Sequence, residues 1–118
     1  MEDIHSRDIL FGFLRPIKQK MMKAKGSENF DLEIESLRVE LINTLDSSAK
    51  ATKILMTEAE SDDKVFNQIR LTKISFDLGE FANGIRLLDS KKFETFLVLI
   101  SEDSELSFSD FIFQANNL

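Results

Sequence analysis

The inventory of reactive side chains is short. In 118 residues there is one histidine, His5, and there is no cysteine, tryptophan or tyrosine. Without cysteine there is no thiol nucleophile, no disulfide and no thiolate zinc site. A single imidazole cannot supply a two-histidine mechanism, and His5 has no second ligand at zinc spacing. What remains is carboxylate chemistry, carried by 21 Asp and Glu. These concentrate in two runs, Glu58, Glu60, Asp62 and Asp63, then Glu102, Asp103 and Glu105. Neither is a calcium loop, because the D-x-[DN]-x-[DN]-G scaffold with its turn glycine is missing. An all-helical magnesium pyrophosphohydrolase needs Glu-x-x-Glu followed later by Glu-x-x-Asp. Here Glu60-x-x-Asp63 precedes Glu102-x-x-Glu105, the reverse order, and both fall in segments that read as linkers. Gly79 and Gly84 lack the Lys-Ser/Thr of a phosphate loop, and Gly12 and Gly26 stand alone. The sequence therefore nominates no catalytic, cofactor-binding or metal-ligating residue, and the expectation is a protein that is not an enzyme.

Two surfaces are candidates for contact instead. The first is basic: Arg15, Lys18, Lys20, Lys23 and Lys25, with no acid between Leu14 and Lys25. Residues 1–25 carry six cations against three acids, a net +3, while the remainder carries −9 of the total −6. Such a segment suits an anionic partner, whether headgroups, nucleic acid or an acidic protein face. It equally suits this chain's own acidic C-terminal half. The acidic total, with a pI near 4.8, disfavours nucleic acid and membrane surfaces, since phosphate neutralisation supplies most non-specific affinity.

The second surface is apolar. Leu71, Ile74, Leu78, Phe81, Ile85 and Leu88 follow each other at steps of three and four, an a/d seam. Phe66, Ile69 and Phe76 widen that stripe. Five of 11 phenylalanines, Phe93, Phe96, Phe108, Phe111 and Phe113, lie in the last 26 residues. Phenylalanine without tyrosine or tryptophan gives aromatic bulk with no polar handle, which suits dry packing. Core filling and an exposed partner-binding face both fit these patterns. The apolar contact set under the second reading is Leu71, Ile74, Leu78, Phe81, Phe108, Phe111 and Phe113.

Helices must position these residues nearly everywhere. The spacing of Leu10, Phe13, Leu14, Ile17 and Met21 predicts a basic helix over 6–25, kinked or restarted near Pro16 and ended by Gly26-Ser27. A second helix over 31–60, capped by Asp31, carries Ile34, Leu37, Leu41 and Leu45 and is long, or broken at Ser47-Ser48. The seam occupies 62–88. There Ile74–Leu78 also alternates with period two, and Asn83-Gly84 is a hairpin signal. Pairing about that turn would set Phe81 opposite Arg86 and Glu80 opposite Leu87, so the helical reading prevails. Asp89-Ser90 opens a short helix over 90–101, and Ser107-x-x-Asp110 opens an apolar segment over 106–116.

The class predicted is all-α, a single domain of four to five helices in an antiparallel bundle, self-associating into a homodimer through the third helix or the C-terminal segment. The longest apolar run, Phe96–Ile100, is five residues, and no signal-like segment follows the acidic Met1-Glu2-Asp3-Ile4-His5, so a cytoplasmic protein is expected. The function expected is a non-enzymatic, small acidic interaction module, an adaptor, chaperone-like or regulatory protein that binds an apolar helix of a partner. The alternative is a nucleic-acid- or membrane-surface-binding regulator that uses the 15–25 segment.

Overall fold

A computed structural model describes residues 6–58 and 64–117. Among these residues the chain is all-helical, with no strand: α1 (Ser6–Ala24), α2 (Phe30–Glu58), α3 (Lys64–Arg86), α4 (Ser90–Leu99) and α5 (Phe108–Asn116). The hairpin reading of 74–88 is thereby excluded, and Asn83 and Gly84 lie inside α3. No described helix is long and apolar enough to cross a membrane.

Local chemistry sets the boundaries. Pro16 sits inside α1 without restarting it. Its missing N–H leaves the carbonyl of Gly12 without its usual acceptor role, and both residues are exposed to water. Gly26 ends α1 at φ +90°, a conformation that side chains with a Cβ rarely adopt, while Ser27 N donates to Ala24 O at 3.0 Å. α2 starts one residue before the expected cap: Glu33 N donates to Asn29 O at 3.0 Å, so Asp31 lies in the first turn instead, where its charge favours the helix dipole. Ser47-Ser48 does not interrupt α2, and Thr52 Oγ1 donates back to Ser48 O at 2.7 Å. Asp89 caps α4 by accepting from Lys92 N. Ser107 and Asp110 form a reciprocal capping box at α5, both bonds 3.1 Å. The expected linker at 60–63 lies outside the described residues.

α2 and α3 run antiparallel along the longest seam of the molecule. Ser75 Oγ donates to Ala49 O at 3.0 Å, and at the other end Arg38 Nε donates to Leu88 O at 2.6 Å. α1 and α4 pack on α2, and α5 packs on α3 and α4. Their apolar faces meet in one core: Leu10, Leu14 and Met21 from α1, Leu41 and Leu45 from α2, Leu78 and Ile85 from α3, Phe93 and Phe96 from α4, Phe111 from α5. Among the residues whose side chains are described, the buried ones of α2 end at Leu45 and those of α3 begin at Ser75. The molecule is elongated, 55 × 26 × 24 Å, with a radius of gyration of 15.7 Å. A chain of this length packed as a globule would have about 13.5 Å.

α5 reaches α3 over a glycine. A Cβ at Gly84 would lie 3.0 Å from Phe108 Cε1 and 3.4 Å from Ile112 Cγ1. The Phe108 ring cannot retreat easily, because Phe81 and Phe96 lie at centroid distances of 4.5 and 5.6 Å. Gly84→Val should therefore cost about 1–3 kcal/mol by overpacking. Gly26→Ala should cost about 1 kcal/mol through its left-handed backbone. Gly12→Ala, where nothing approaches within 4 Å of a Cβ, should stabilise by about 0.5–1 kcal/mol. Urea unfolding of the three variants checks all three signs.

Candidate functional site

The basic segment is largely occupied by its own chain. Arg15 grips Glu102 with two nitrogens, Nε at 3.0 Å from Oε2 and Nη2 on Oε1. Lys18 Nζ donates to Ile100 O at 3.2 Å, and Lys20 pairs with Glu40 at 2.8 Å. Lys23 and Lys25 are exposed. The hydrogen bond from Arg15 holds the Glu102 carboxyl below the usual carboxylate range, and the same bond raises the guanidinium. Arg7, which sequence spacing did not single out, performs a related task. Its guanidinium donates to Leu106 O at 2.7 Å and Ser104 O at 2.6 Å, and lies 5.0 Å from the Phe11 ring centroid. Two arginines of α1 thus fix the acidic linker before α5.

The apolar contact set does not form one surface. Leu78 is 1% exposed and Phe111 2% exposed, both sealed in the core, so neither is open to a partner. Burial follows from their helical positions: Leu78 shares the inward face of α3 with Ala82 and Ile85, and Phe111 shares that of α5 with Ile112 and Ala115. Ile74, Phe81 and Phe108 are half-buried against the core, and Leu71 is half-buried. Phe113 alone stands out, 69% exposed. The C-terminal segment docks on this chain's own body.

A cleft of about 570 Å³ lies where α1, α3 and α5 meet, floored by Phe11, Phe81, Phe108 and Phe111. Its rim carries Arg7 and Lys73 against Asp8 and Asp77, and Lys73 bonds Asp77 at 3.2 Å, so the charges balance. Ser6 Oγ is buried there without a hydrogen-bond partner among the described residues. Among the described residues no group of three His, Cys, Asp or Glu side chains could hold a metal ion. His5, Glu60, Asp62 and Asp63 lie outside the described residues.

The open face is on the opposite side of α3 from the core. Ile69 and Phe76, both 65% exposed, are two helical turns apart, and Phe76 is about 200° around the helix from Leu78. They were expected to widen the buried stripe; the backbone turns them away from it. Thr72, Gly79 and Asn83 complete their row at steps of three and four, and no residue of that row is charged. Beside Phe76 a groove of about 360 Å³ runs between α2 and α3 over Ala49, Ser75 and Gly79. The signal was present in the sequence as a second row at heptad spacing, two positions out of register with the first. Other exposed apolar residues, such as Leu32, Leu87 and Val98, sit on separate elements, as single surface apolar residues ordinarily do.

No protein-family model, curated protein or solved structure matches this chain.

Phe111→Ala should cost about 3–5 kcal/mol, the loss expected for a buried aromatic, whereas Phe113→Ala should stay within about 0.5 kcal/mol. Thermal unfolding separates the two. Glu102→Gln tests the Arg15 pair through pH. Because the folded carboxyl titrates below its ordinary range, the pair stabilises the fold at neutral pH and loses that contribution as pH falls through the folded value. The urea midpoint of Glu102→Gln should lie below that of the parent at pH 7 and converge on it in acid.

Proposed function

We propose that this protein is a non-enzymatic interaction module, a small acidic adaptor, chaperone-like or regulatory protein of the cytoplasm, which holds an apolar helix against the α2–α3 hairpin. The observation that carries this reading is the uncharged outer row of α3, with Ile69 and Phe76 both 65% exposed. A helix apolar on one face is satisfied by one core. α3 carries large apolar side chains on two opposite faces, and among the described residues only one of those faces is covered. The groove beside Phe76 is floored by small residues, Ala49, Ser75 and Gly79, and small residues let a second helix approach closely. Leu78 and Phe111 belong to the fold, Ile74, Phe81 and Phe108 pack against the core, and Ile69 and Phe76 take the place of that contact set.

The basic 15–25 segment offers less to a nucleic acid or membrane surface, since Arg15, Lys18 and Lys20 are bonded within the chain. Its cations complement the acidic linker and α2.

A photo-crosslinking residue at position 76 tests the proposal in extract of the source cells. Position 76 should crosslink to protein well above the same residue placed at Leu32, which is equally accessible but lies on another element. Equal, background-level crosslinking at both positions would defeat the interaction reading.

A further inference from the structure

We infer that the occupant of this open face is a second copy of the same chain, an inference that rests on the interaction reading above and specifies its partner. A two-fold interface brings one patch against itself, so the patch must contain both members of every complementary pair. This one does. Phe76 is a projecting knob, and the groove over Ala49, Ser75 and Gly79 is a recess directly beside it.

Charge selects how the copies meet. The α2 wall of the groove carries Lys50 and Lys53, and the α3 wall carries Glu80. None of the three side chains has a hydrogen bond or ion pair among the described residues, and all three residues are exposed. A two-fold axis running along the groove lays α2 of each copy over α3 of the other. Lys50 then comes within side-chain reach of the other copy's Glu80, about five residues along the seam by the Ser75–Ala49 register, and each Phe76 comes over the other copy's Ala49. An axis across the groove would set the lysines against lysines, which like-charge repulsion disfavours. The geometry thus points to four helices around Ile69 and Phe76, with both cores at the same end of the dimer.

Size sets the strength. The row from Ile69 to Asn83 is about 21 Å long at 1.5 Å per residue. Two packed helices make the face about 20 Å wide. That footprint, about 400 Å² per copy, falls below the standard interface and among the weak, transient ones, so the dimer is weak and reversible.

Sedimentation equilibrium of the full chain from about 1 µM to about 300 µM reads the result directly. The weight-average mass should rise from the 13.5 kDa of one chain toward twice that value. Phe76→Glu should remain monomeric across the range with an unchanged circular dichroism spectrum. Lys50→Glu combined with Lys53→Glu should weaken the dimer about tenfold, and adding Glu80→Lys should restore it. This rescue keeps the inference testable even if Phe76→Glu folds poorly. A parent chain that stays monomeric at the highest concentration would overturn the inference. So would a dimer that neither Phe76→Glu nor the lysine variants disturb, because its interface would lie elsewhere. A monomer whose position 76 still crosslinks to a different protein overturns only the second copy as occupant. A monomer with background crosslinking overturns both readings.

Discussion

The seam between α2 and α3 is the support on which the other helices lean. α4 and α5 have 10 and nine residues, well below the length at which an isolated helix holds in water. They persist because α2 and α3 offer them apolar ground. α4 sets Phe93, Phe96 and Leu97 into the core, and α5 adds Phe111, Ile112 and Ala115. The approach of α5 in turn requires Gly84 of α3, where a side chain would meet Phe108 and Ile112. The long hairpin is thus a wall of the core on which both short helices depend.

Apolar burial and polar ties divide the labour unequally. Each fully buried Leu, Ile or Phe contributes about 1.5–3 kcal/mol, whereas an exposed ion pair is screened by water and salt and contributes little. Arg15–Glu102 and Lys20–Glu40 are pairs of the second kind. Their value is in direction. Arg38 bonds the carbonyls of Leu88 and Arg86 and the carboxylate of Glu35, and Ser90 donates to the same carboxylate. This small network sets the angle at which the chain leaves α3 and enters α4.

Helical class was legible in the sequence because its signals are local. The Ser107–Asp110 box and the Asp89 cap involve residues three apart, and their geometry follows once the chain enters a helix. The buried face of α3 was legible for the same reason. What the sequence left open depended on contacts between distant residues. Phe111 and Phe113 look alike in a list of phenylalanines, and only the rotation of α5 against α3 and α4 decides that one is core and the other is not. Ile69 and Phe76 looked like the margin of one broad stripe, although their register places them across the helix from it. Arg7 gave no signal at all, since its partners are backbone carbonyls 97 and 99 residues away in sequence. Arg15 was read with four neighbouring cations as one surface, but a carboxylate 87 residues on takes it out of that group.

Those distant arginine contacts impose an order on assembly. Arg7 is synthesised 99 residues before Leu106. At about 5–20 residues per second, Arg7 joins the chain about 5–20 s before the carbonyls that it binds exist. Through that interval its guanidinium can be satisfied only by water or by transient partners, and the cleft that Phe11 lines lacks its α5 wall. Closure of so long a loop is entropically costly and is repaid only when α5 docks. The earliest helix to be made is thus among the last to be locked, and the linker at 101–107 acts as the latch.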